Sequence, residues 1–355
     1  MSVTLLVGTI KGAFVIRSNS DRTAWELEDL IFKGWKVTAA TRAVDGTFFI
    51  GTASDIYGPA IQRSTDLKQW EQVKRGPQFD ESLGRKLNQI WFISTKGDTY
   101  YAGADEAGLF QSRDGGNTWK AVNGLNDHDT RPGWRPGAGG LCAHAFLRDP
   151  SNPDRMWCGI SAVGVFRTDD GGATWSPKNS GVQVIIPDEN NSEIGYCVHA
   201  LTHDPENPDV IWQQNHRGMY RTTDGGDHWE SIQNGLPSTF GFPLERDPHT
   251  GSLFCFPQES DEFRIPVDGK CRVYRSHDNG DSWHPLGTGL PKKGFYGSVL
   301  RGAMAVDELA SCGVYFGTTS GTMHMSKDCG DTWITFDEVF PRILCVSAFI
   351  SSEID

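Results

Sequence analysis

No stretch of this sequence holds enough consecutive apolar residues to cross a membrane as a helix. Positive charge is scarce. The 33 Lys and Arg residues stand against 45 Asp and Glu, giving a formal net charge of −12 and a pI near 5.3. That balance excludes nucleic acid as a general partner. A basic n-region and a cleavage-like site are both missing, because Met1 leads straight into Val3-Thr4-Leu5-Leu6-Val7. No signal peptide is therefore expected, and the expected location is cytoplasmic. The eight cysteines contain no C-x-x-C, and Cys142, Cys158, Cys197 and Cys345 lie inside apolar runs. They read as buried free thiols, with no cysteine-based metal site expected. Low-complexity linkers are also absent, so residues 1–355 read as a single domain.

What the chain does have is a repeat. Ser112-Arg113-Asp114-Gly115-Gly116-Asn117-Thr118-Trp119 recurs as Thr168 to Trp175, Thr222 to Trp229, Ser276 to Trp283 and Ser326 to Trp333. A looser copy runs from Ser64 to Trp70, and a degenerate one from Ser18 to Trp25. The terminal tryptophans thus recur at intervals of roughly fifty residues, the mark of one supersecondary unit in an array. Alternating apolar residues precede each copy, as in Gly108-Leu109-Phe110-Gln111, and read as a strand. Asp-Gly-Gly is turn chemistry, since glycine supplies the positive φ of a tight hairpin. The aspartate accepts N–H groups of its own turn, and the tryptophan opens the next strand.

The form Ser/Thr-x-Asp-x-Gly-x-Thr-Trp resembles the Asp-box, or BNR repeat, of the sialidase superfamily. That resemblance implies a β-propeller with each box on the turn between the outer two strands of a blade, away from any active site. Asp114, Asp170, Asp224, Asp278 and Asp328 are accordingly expected to be structural. Over nearly its whole length the chain is also similar to bacterial proteins labelled glycosyl hydrolase with BNR repeats.

Blades can be read directly. In the fourth repeat, strands are expected at 140–146, 156–160 and 164–167, with Trp175 opening the last. The N-terminus lacks an innermost strand before residues 5–9, and the C-terminus ends on an orphan strand at 343–349. Pairing the two completes blade one and leaves no open edge. The expected fold is all-β: a seven-bladed propeller of four-stranded antiparallel blades closed by its terminal strands.

The resemblance implies ligand binding at the mouth of the central channel, on the loops between second and third strands and between blades. Those loops supply Arg85, Lys86, Asp105, Glu106, Arg131, Trp134, Arg135, Arg217, Arg264 and Arg301. Arginines gathered there suit an anionic sugar, and ion pairing with nearby acids is the alternative. Proline and glycine stiffen the loop from Arg131 to Gly140, so it is expected to hold two Arg and Trp134 for stacking or anion binding, or else to plug the channel. His144 and His199 stand at equivalent places on neighbouring inner strands, and His216 follows on an adjoining loop. Together they form the candidate acid/base cluster, or a divalent metal site in the less favoured reading. No other cofactor is expected.

Phe263-Arg264-Ile265-Pro266 matches the FRIP signature of true sialidases, but it lies in the sixth repeat instead of before the first box. Sialidase activity is not carried over. Two functions stay open: a glycoside hydrolase or uronate lyase acting on an anionic sugar, and a non-catalytic propeller that binds a protein partner or assembly factor. The sequence leaves the oligomeric state undetermined.

Overall fold

The computed structural model describes residues 1–28, 30–187 and 191–351. It is a seven-bladed β-propeller of four-stranded antiparallel sheets. In blade one, Ile343–Ser351 is the innermost strand, followed by Ser2–Thr9, Gly12–Ser18 and Trp25–Leu27. The terminal strands pair in register from Ser2 opposite Ser351 to Val7 opposite Val346, as the missing-strand argument requires.

The repeated turn does the local work. Asp114 accepts the Thr118 N–H at 2.9 Å and the Thr118 hydroxyl at 2.6 Å, while the Ser112 hydroxyl donates to it at 2.8 Å. These donors hold the Asp114 carboxyl down to about 2, and the equivalent bonds do the same for Asp170 and Asp278. The residue after each aspartate is left-handed. It is glycine at 115, 171 and 225, but Asn279 and Cys329 adopt the same conformation at φ 59° and 55°.

The tryptophan then ties its blade to the one before. Its backbone N–H donates to a carbonyl of the preceding repeat: Trp119 to Arg75, Trp229 to Ser180, Trp283 to Asn234 and Trp333 to Thr288, each near 3 Å. The five full-motif indoles are buried.

Two compact units divide the chain, residues 1–40 with 233–355, and residues 41–232. The core of the first includes Val3, Leu5, Val7, Phe254, Phe316 and Trp333. The second is built on Leu109, Met156, Phe166 and Trp175, with Trp157, Tyr220 and Trp229 in a neighbouring cluster. All eight cysteines are free thiols, and only Cys329 is not fully buried. Among the described residues, no helix is long and apolar enough to cross a membrane.

Candidate functional site

The innermost strands carry a recurrent defect. The pairing register shifts between Ile90 and Phe92, between Ala143 and Ala145, and between Val198 and Ala200. Trp91, His144 and His199 are the residues skipped, so all three sit at equivalent bulges within the second unit. A bulge re-aims the side chain it carries. The equivalence of the two histidines is real, but their surroundings differ. His144 lies edge-on to Trp91, with ring centroids 6.1 Å apart. His199 instead meets His216 edge-to-face at 5.5 Å.

The third member beside His199 and His216 is Cys197, whose Sγ lies 3.5 Å from His199 Nε2. Cys197 and His199 are buried, and His216 is half-buried on the turn that follows strand Ile211–Asn215. Sequence reasoning passed over Cys197 as a packing thiol. The Cys-x-His spacing at the start of strand Val198–His203 was the signal that could have found it.

The arginine-rich loop is anchored inward. Arg131 donates to the carbonyls of Ala107 at 2.9 Å and Glu106 at 2.8 Å, and its guanidinium lies over the Trp134 indole at 4.9 Å. Burial and the Arg85 charge hold Arg131 down to about 10. Trp134 is only 5% exposed, donates its Nε1–H to Thr130 and packs on Phe166. Arg135 is exposed and donates to its own loop at Pro132. Arg217 is exposed on the turn beside His216.

Arg264 and Arg301 belong to the first unit. Both guanidiniums lie over Phe242, at 5.7 and 4.8 Å, and Arg264 Nε donates to the Asp261 carbonyl. This is where the Phe-Arg-Ile-Pro arginine ends up.

Two consecutive carboxylates, Asp105 and Glu106, lie in the second unit. Asp105 ends strand Tyr100–Asp105, and Glu106 opens the turn to Gly108–Ser112. Burial, then the Glu106 charge, push the Asp105 carboxyl up to about 6. Gly140, left-handed at φ 97°, and Cys142 lie beside it. Glu106 accepts the backbone N–H of Lys86 at 3.2 Å. A cleft of about 220 Å³ opens in the same unit, lined by Phe79, Asp80, Leu83, Arg85, Asn126 and Asp127. Arg85 spans it to Asp127 at 2.9 Å, and the charges of Arg85, Glu106 and Asp127 all act on Arg131. Asp105 and Glu106 were visible in the loops of the sequence. Only burial singles one of them out.

No family model matches the chain. A probable oligoxyloglucan-reducing end-specific xyloglucanase of Neosartorya fischeri is 26% identical over 220 residues, 57% of this chain and 23% of that protein. The chain therefore spans less than a quarter of that relative's length. Among solved structures, an ancestral GH74 enzyme superposes with a TM-score of 0.55 at 16% identity, covering 88% of this chain and 38% of its own. A Bacteroides fragilis protein inferred to be a 6-phosphogluconolactonase superposes over 98% of both chains with a TM-score of 0.61 at 10% identity. These two likenesses establish the fold.

Proposed function

We propose that this chain is a carbohydrate-active enzyme of the glycoside hydrolase type, with Asp105 as the acid that protonates the leaving oxygen. The observation that carries this reading is the Asp105 carboxyl, held neutral up to about pH 6 by burial and by its neighbour Glu106. Glycosidic cleavage needs an acid of that kind and a second carboxylate, and Glu106 is the adjacent one. The Phe79 ring in the nearby cleft offers an apolar face to a sugar, and Arg85 and Asp127 offer donors and acceptors for hydroxyl groups. The partial sequence likeness to a xyloglucanase supports a saccharide as the substrate class. Exposed Arg135 and Arg217 of the same unit suit an acidic substituent on that sugar.

The test is a panel of neutral xyloglucan oligosaccharides and uronate-bearing oligosaccharides, assayed for new reducing ends across pH. Turnover is expected where Asp105 is protonated, declining as pH rises through about 6, and Asp105→Asn should lower kcat by about 10²–10⁴-fold. A folded Asp105→Asn variant with wild-type turnover removes the acid role. No cleavage and no binding of any panel member removes the enzyme reading and leaves the propeller as a scaffold.

A further inference from the structure

The histidine pair of blade five has a chemistry of its own. Cys197, His199 and His216 each offer one ligand atom, and these atoms all lie within 4.8 Å of one another. We propose that Cys197, His199 and His216 form a three-ligand binding site for a borderline-soft divalent cation of the Zn²⁺ class.

One ligand pair already stands at that ion's spacing. With Zn–S near 2.3 Å and Zn–N near 2.0–2.1 Å, two ligands of a tetrahedral site stand roughly 3.5 Å apart. Cys197 Sγ and His199 Nε2 are separated by 3.5 Å. One thiolate with two imidazoles selects zinc-like or copper-like ions over magnesium and calcium, which prefer oxygen. Three protein ligands leave a fourth position for water or a small ligand, and half-buried His216 is the side from which it is reached. Binding converts the Cys197 thiol to thiolate and releases its proton to solvent.

The fold holds the ligands in place without the ion. The register shift at His199 sets its ring beside Cys197, two residues earlier on the same chain segment. The backbone N–H of His216 donates to the Cys197 carbonyl at 2.9 Å, which fixes the turn against the strand. Ser161 places its hydroxyl 3.5 Å from Cys197 Sγ, where it can donate to a thiolate.

Blade four supplies an internal control. Cys142-Ala143-His144 repeats the Cys-x-His spacing with the same register shift, and the same backbone bond runs from Ser161 N–H to the Cys142 carbonyl at 2.8 Å. Ser161 therefore stands where His216 stands in blade five. With serine in place of the third ligand, the blade-four site lacks a second imidazole, and its histidine turns to Trp91. Serine for histidine on that turn is the difference in ligand set between the two sites.

The experiment is equilibrium dialysis of the full chain against Zn²⁺ with metal analysis, together with Co²⁺ titration to read thiolate-to-cobalt charge transfer. One ion per chain is expected, with the charge-transfer band present. Cys197→Ser should abolish the band, and His216→Gln should weaken Zn²⁺ affinity by at least about 100-fold. The double variant Cys142→Ser, His144→Gln should keep both stoichiometry and band. Unchanged Zn²⁺ affinity in folded Cys197→Ser or His216→Gln overturns the assignment. So does loss of binding in the blade-four double variant, or affinity in the wild type no tighter than about millimolar.

Discussion

Replacing Asp105 by Asn should make the protein more stable at neutral pH, and the gain should vanish in acid. The folded state raises the Asp105 carboxyl from 3.8 to about 6, so it disfavours the ionised form that the unfolded chain tolerates. Such a group costs no stability below its unfolded value near 4. The cost grows as pH rises between 4 and 6, and it is complete above 6. Two units at about 1.4 kcal/mol each would set an upper bound near 3 kcal/mol. Asp105 is only half-buried and solvent screens part of the penalty, so about 1–2 kcal/mol is expected. Asn has nearly the same shape and no charge to desolvate. Urea denaturation at pH 7.5 and pH 4 reads the difference directly. At pH 7.5 the variant should be more stable by that amount, and at pH 4 the two proteins should coincide. Glu106→Gln removes the second cause of the shift, so it should move the pH window of the wild-type loss downward. A variant that is less stable at pH 7.5, or whose gain does not change with pH, would refute the reasoning. The carboxyl would then be ionised in the folded protein and unfit as the proposed acid.

Asp170→Ala removes the acceptor for the Thr174 N–H and hydroxyl and should cost about 1–2 kcal/mol, with ligand binding by the folded protein unchanged. Because those hydrogen bonds depress the Asp170 carboxyl to about 2, that deficit should be full above pH 4 and fade toward pH 2, which thermal melts at stepped pH will read. Truncation after Pro341 deletes strand Ile343–Ser351 and uncovers the backbone of Ser2–Thr9, so the product should partition to the insoluble fraction. A soluble truncated chain with wild-type circular dichroism would contradict the pairing.

The propeller was legible because its signal is local and repeated. An aspartate, a left-handed residue and a tryptophan within eight positions specify the turn by themselves. The absence of an innermost strand before Leu5 pointed to its partner at Ile343. The site was harder to read because its chemistry depends on what the fold buries. Asp105 becomes an unusual acid only through its surroundings, which include Gly140 and Cys142, contributed by the next repeat. Trp134 looks like an exposed stacking residue in a Pro-Gly loop, yet Arg131 and Phe166 enclose it. The equivalence of His144 and His199 followed from the repeat, whereas their different partners depended on whether serine or histidine occupies the next turn.

The pairing of Val7 with Val346 also sets a schedule. At about 5–20 residues per second, the ribosome releases Ser2–Thr9 on the order of 20 to 70 s before the strand that must lie beside it. Throughout that interval the nascent chain carries Val3, Leu5, Leu6 and Val7 with one flank unmatched, while the middle repeats can already fold on each other. Blade one is therefore completed only after strand Ile343–Ser351 has been made.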